Sequence, residues 1–112
     1  MQHLRTRVEM GPEDVTVVAS GEVDLSTTSV LANAITEGFG KGRRVVVDLS
    51  GVRHLDASGI RVLLAAANAY GPRIVVVISK PAMRRLFEIL DLNGTVSVVS
   101  SRAAAREHLR NQ

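Results

Sequence analysis

Two hydrophobic periods alternate along the chain. His3 to Glu9 and Asp14 to Ser20 alternate from residue to residue, with Val15, Val17 and Ala19 toward one face and Thr16, Val18 and Ser20 toward the other. This period of two predicts a pair of strands, which the turn residues of "MGPED" join as an antiparallel hairpin. In "STTSVLANAITEGFG" the period lengthens: Leu31, Ala34, Ile35 and Phe39 fall on one side of a helix, hydroxyl residues stand ready to cap it, and Gly40 stops it. "RRVVVDLS" is apolar at Val45, Val46 and Val47 without alternation, the mark of a strand covered on both faces at the centre of a sheet.

The same alternation continues to the end. Ile60, Leu63, Leu64 and Ala67 define an amphipathic helix that begins at Ser58 and ends near Tyr70 and Gly71. "RIVVVIS" reads as a second buried strand. Ser79 as cap and Pro81 as first residue then open a helix with Met83, Leu86, Phe87 and Leu90 on one face, closed by "DLNG". "TVSVV" gives a short last strand, and Ser101 leads into "RAAAREHLR", whose Ala105 and Leu109 dock on the sheet and whose late arginines suit the helix dipole. The order ββαβαβαβα predicts an α/β sandwich: a mixed sheet of about five strands, right-handed crossovers, and about four helices gathered on one side.

A length of 112 residues fits a single domain over 1–112. Aromatic residues make up only 3% of the chain, so Val, Leu, Ile and Ala must fill the core. The absence of cysteine excludes disulfides and thiolate metal sites and fits a cytoplasmic protein. "MQHLRTRVEM" alternates where a signal peptide would have a continuous apolar segment, and no run approaches the roughly 18 apolar residues of a membrane span. The net charge of +3 comes from arginines scattered among acids, a solvated surface and not a direct nucleic-acid footprint. His3, His54 and His108 lack ligand spacing, so no metal or other cofactor is expected.

The candidate chemistry lies in "HLDASGI", where Asp56 and Ser58 start a helix at the end of a buried strand. Either is a sufficient cap for the free backbone N–H groups there, with Gly59 easing the turn. That position is also where α/β sheets carry their sites, and "GEVDLSTT" places a second acid-bearing turn at the corresponding earlier junction. Ser58 as nucleophile with His54 as base and Asp24 or Asp56 as orienter would make an enzyme, but "DASG" is not the G-x-S-x-G elbow. "GFGKGRR" lacks phosphate-loop spacing and precedes a strand. A non-enzymatic protein is the expectation.

Three stretches, "SGEVDLSTT", "VVVDLSGVRHLDASGIRVLL" and "RLFEILDLNGTVSVVSSRAAA", resemble the STAS domain, and within it the bacterial anti-sigma factor antagonists. The resemblance implies a STAS-like sandwich whose unphosphorylated form binds an anti-sigma factor that is also a serine kinase, releasing a sigma factor. It implies phosphorylation at Ser58, reversed by a phosphatase, with Asp24, Asp56 and Gly59 around the phosphosite and Arg61 on the partner face. Ala57 stands where many relatives carry Ser or Thr, and Arg61 where smaller residues are common; Arg61 reads equally well as a solvated arginine. Related domains also serve as stressosome subunits or in transporter assemblies.

Overall fold

The computed structural model describes residues 3–112, so Met1 and Gln2 of the expected domain lie outside the described residues. The elements follow the expected order: β1 (Leu4–Met10), β2 (Val15–Val23), α1 (Thr28–Lys41), β3 (Val45–Leu55), α2 (Ala57–Tyr70), a 3₁₀ turn (Gly71–Arg73), β4 (Ile74–Val77), α3 (Pro81–Ile89), β5 (Val98–Val99) and α4 (Arg102–Arg110). The sheet order is β1-β2-β3-β4-β5, with β1 antiparallel to β2 and all later pairs parallel. The run of valines in β3 therefore sits at the centre of the sheet.

Several boundaries differ from the sequence pattern. α1 runs past Gly40 to Lys41 and is closed by Gly42, whose N–H donates to the Gly38 carbonyl at 3.1 Å. Lys80, not Ser79, precedes α3, without a side-chain cap; Pro81 opens the helix as its fixed φ favours. Lys80 Nζ instead donates to the carbonyls of Ser50 and Val52 at 3.1 and 2.9 Å, tying the start of α3 to β3. Ser101 caps α4 by accepting from the Ala104 N–H at 3.1 Å.

The helices do not gather on one side. α1, α2 and α3 cover one face, where Val45, Val47, Ile74 and Val76 pack with Leu31, Leu63 and Phe87. α4 covers the other, placing Ala105 and Leu109 on Val46, Val75 and Val77. Successive strand residues point to opposite faces, so a continuous valine run requires an apolar cover on each, and α4 supplies the second.

β2 and β3 hold their pairing through two register shifts. Val18 faces Asp48, Ser20 faces Gly51, and Glu22 faces His54, so β3 gains a residue on β2 at each shift. The first is built by Asp48, whose Oδ1 accepts from the Ser50 N–H at 2.9 Å. At Gly51 a Cβ would stand 2.9 Å from the Ser20 Cβ, so the close approach needs glycine. Gly21, at φ +115°, takes a conformation that L side chains rarely adopt.

Asp48 is only 6% exposed and its Oδ2 accepts from Arg102 Nε at 2.6 Å; the same guanidinium reaches Glu9 Oε1 at 2.9 Å. Burial pushes the Asp48 carboxyl up, but hydrogen bonds from Ser50 and Arg102 outweigh it and hold the group below its ordinary range. A carboxyl lowered on folding stabilises the fold above its unfolded pKa, and that stabilisation disappears as pH falls through the folded one. Arg102→Gln should therefore cost about 2 kcal/mol at pH 7, between the values for exposed and fully buried pairs. The difference from wild type should shrink below pH 4 in denaturant melts; a difference independent of pH would show that the ion pair is not its source.

Candidate functional site

The parallel pairing of β2 and β3 brings their carboxyl ends out side by side. Val23 is opposite Leu55, and the Asp56 N–H donates to the Val23 carbonyl at 3.2 Å. Asp24 and Asp56 thus follow adjacent strand ends on one rim, each starting an Asp-x-Ser turn.

The two turns share one geometry. Asp56 Oδ1 accepts from the Ser58 N–H at 2.9 Å and from Ser58 Oγ at 2.5 Å. Asp24 Oδ1 accepts from the Ser26 N–H at 2.9 Å and from Ser26 Oγ at 2.6 Å. The carboxylate of Asp24 is therefore engaged by Ser26, while the Ser58 hydroxyl is held by Asp56. Ser26 joins the site beyond the residues expected there, and the repeated D-x-S spacing is its mark in the sequence.

Asp56, not Ser58, caps α2. The same Oδ1 also accepts from the Gly59 N–H at 3.2 Å, filling two of the free donors of the first turn. The hydrogen bond from the Ser58 hydroxyl, joined by the N–H groups of Gly59 and Ser58, keeps the exposed Asp56 carboxyl below its ordinary range against a smaller effect of burial. The Ser58 hydroxyl is left half-buried on the surface with its proton directed at Asp56.

Gly59 acts from beneath. It is buried, and a Cβ there would lie 2.5 Å from Leu55 Cδ1 and 2.6 Å from Val23 Cγ1. Its lack of a side chain lets the first turn of α2 sit directly on the ends of β2 and β3. Arg61 is exposed one turn after Ser58 and makes no ion pair with any described residue. On the neighbouring turn Leu25 is 80% exposed. His54 is exposed opposite Glu22, and its side chain makes no hydrogen bond to a described residue, so Ser58, His54 and an acid do not form a relay. Among the described residues no group of three or more metal-ligating side chains converges, and no helix is long and apolar enough to cross a membrane.

The family profile described as "Mlab, STAS domain" matches residues 6–100. The chain belongs to the STAS domain family. No curated protein matches it significantly in sequence. Among solved structures, an anti-sigma factor antagonist from Mycobacterium paratuberculosis is 29% identical, with 96% of this chain and 95% of that one covered at a TM-score of 0.87. The Bacillus cell fate determinant SpoIIAA in its phosphorylated form is 18% identical, with 92% and 98% covered at a TM-score of 0.65, a likeness of STAS fold alone.

Two outcomes check this geometry. In Ser58→Ala the Asp56 carboxyl should titrate at higher pH than in wild type, as read by carbon-detected NMR; an unmoved titration would mean that the hydroxyl is not its main partner. Gly59→Ala should cost about 1–3 kcal/mol by overpacking, measured by denaturant unfolding, and a neutral result would contradict the close contact with Leu55 and Val23.

Proposed function

We propose that this STAS domain is an anti-sigma factor antagonist, a binding protein switched by phosphorylation of Ser58. The observation that carries the reading is the Ser58 hydroxyl on the open carboxyl rim, bonded to Asp56 beside the matching Asp24 turn. The likeness at 29% identity to an anti-sigma factor antagonist supports it. In its unphosphorylated form the protein docks this rim on a cytoplasmic anti-sigma factor that is also a serine kinase, and the sigma factor is released. Leu25 and Arg61 border the docking face, and a phosphatase restores the binding form.

The switch follows from the site's chemistry. Phosphoryl transfer joins Ser58 Oγ to phosphorus, breaks the bond from that phosphorus to the oxygen that leaves with ADP, and passes the hydroxyl proton, until then donated to Asp56, to a base of the kinase and on to solvent. The hydrogen bond is lost, and a group of about −1.5 to −2 charge stands beside Asp56 in its place. The helix N–H groups of Ser58 and Gly59 already belong to Asp56, so they are not free to neutralise the phosphate. Docking would have to desolvate this added charge with no free donor to pair it, a cost of several kcal/mol, enough to suppress binding by orders of magnitude.

Incubation with the cognate anti-sigma kinase and ATP should add one phosphate, mapped by mass spectrometry to Ser58 and absent from Ser58→Ala. In calorimetric titration Ser58→Ala should bind the anti-sigma factor within about fivefold of wild type, whereas Ser58→Glu should bind roughly a hundredfold more weakly. Equal affinities of the two variants would sink the electrostatic switch, and loss of turnover of a small substrate in both would point to catalysis by Ser58.

A further inference from the structure

The end of the sheet opposite Ser58 carries a separate concentration of charge. A cavity of about 560 Å³ opens between the β1–β2 turn, the α1–β3 loop and the 3₁₀ turn, lined by Glu13, Arg43, Arg44, Pro72, Arg73 and Gln112. Next to it, Arg106 and Arg110 of α4 line a smaller cavity of about 190 Å³ that shares Glu13. None of these arginines forms an ion pair with a described residue; the arginines that do are Arg7, Arg53 and Arg102.

The three arginines of the larger cavity stand on fixed backbone. The Arg44 carbonyl accepts from the Val15 N–H at 2.9 Å, fastening the loop to the start of β2. Gly42 lies so close to Val15 that a Cβ would be 2.6 Å from Cγ2, so the loop is pressed on the sheet. Arg73 lies at the edge of the stacked pair of Phe39 and Tyr70, its Cζ 5.5 and 5.6 Å from the ring centroids, so the pair flanks the guanidinium without covering it. The carboxyl ends of α1 and α2 reach this rim with partial negative charges of about half a unit each. Together with Glu13, with Asp14 of the smaller cavity and with the carboxyl end of α4, they offset only part of the charge of Arg43, Arg44, Arg73, Arg106, Arg110 and Lys41, which leaves this rim net positive.

We propose that this cavity binds a compact ligand carrying two or more phosphoryl groups, held by Arg43, Arg44 and Arg73. Guanidinium forks match phosphate oxygens in pairs, which favours phosphate over isolated carboxylates. The volume belongs to the range of small-molecule sites, about 300–1,000 Å³. A concave site of this size suits a compact anion better than a flat membrane. Single-stranded nucleic acid is disfavoured because it requires free aromatic platforms, and Phe39 and Tyr70 are already stacked on each other. The site is independent of Ser58 and of the switch proposed there.

The test is calorimetric titration of the full chain with inorganic pyrophosphate, alongside amide NMR shifts. One saturable site is expected, with shifts at 41–44 and 71–74. Arg43→Gln with Arg44→Gln should weaken binding at least tenfold, and Arg73→Lys should weaken it less than Arg73→Gln. Arg85→Gln on α3, which matches the single charge removed by Arg73→Gln, should stay within twofold of wild type, and thermal melts of each variant establish that the fold is retained. No saturable binding, or equal weakening by Arg85→Gln, would overturn the site. So would binding of a single-stranded oligonucleotide or of anionic phosphatidylglycerol vesicles with none of pyrophosphate.

Discussion

The parallel pairing of β2 with β3 is the constraint on which the site depends. Val15 begins the pairing opposite Val45, an offset of 30 by residue number, yet Val23 ends it opposite Leu55, an offset of 32. That gain of two residues brings Asp24 level with Asp56 and Ser26 level with Ser58, so the two turns share one rim in one register. The first step of the gain is held by Asp48, which also anchors α4 through Arg102. A buried carboxylate on the far face of the sheet thus helps set where the candidate phosphosite emerges.

The division of labour around Ser58 follows from which atoms are already occupied. Asp56 Oδ1 takes the N–H groups of Ser58 and Gly59 together with the Ser58 hydroxyl. The cap and the modifiable group share one carboxylate oxygen, so a change at the hydroxyl acts directly on the charge that starts α2. Asp24 duplicates the arrangement with Ser26 and leaves Leu25 as an exposed apolar side chain on that turn. In the switch proposed here, the exposed leucine gives the rim an attractive contact, and the acids at the two strand ends give it a negative background to which the phosphate adds.

Much of the fold was legible because its periods are clean. The alternation in β2, the unbroken valines of β3 and the helical spacing from Ile60 to Ala67 each name an element without ambiguity. The side of the sheet taken by α4 was not legible. α4 follows the last strand, so no crossover rule fixes its face, and the valine run of β3 supports an apolar cover on either side. The register shifts were hidden for a related reason: a bulge is a relation between two strands, while periodicity describes one. Their local trace is the Asp48-x-Ser50 spacing followed by Gly51. At the site, the D-x-S-G pattern located Asp56 and Ser58 but left the cap undecided, since either side chain reaches the free N–H groups. The pattern alone gives Gly59 the role of easing a turn, and only the positions of Leu55 and Val23 reveal a packing requirement.

The central claim is that phosphorylation at Ser58 changes charge at the rim and leaves the fold in place. Amide chemical shifts of the unphosphorylated and fully phosphorylated protein, compared residue by residue, test it most directly. The account predicts changes confined to the two turns and the first turn of α2, about residues 23–28 and 54–61, with the valine ladder of β3 and β4 unmoved. Changes spread through β3, β4 and α4 would contradict it and would mean that the switch works by rearranging the sheet.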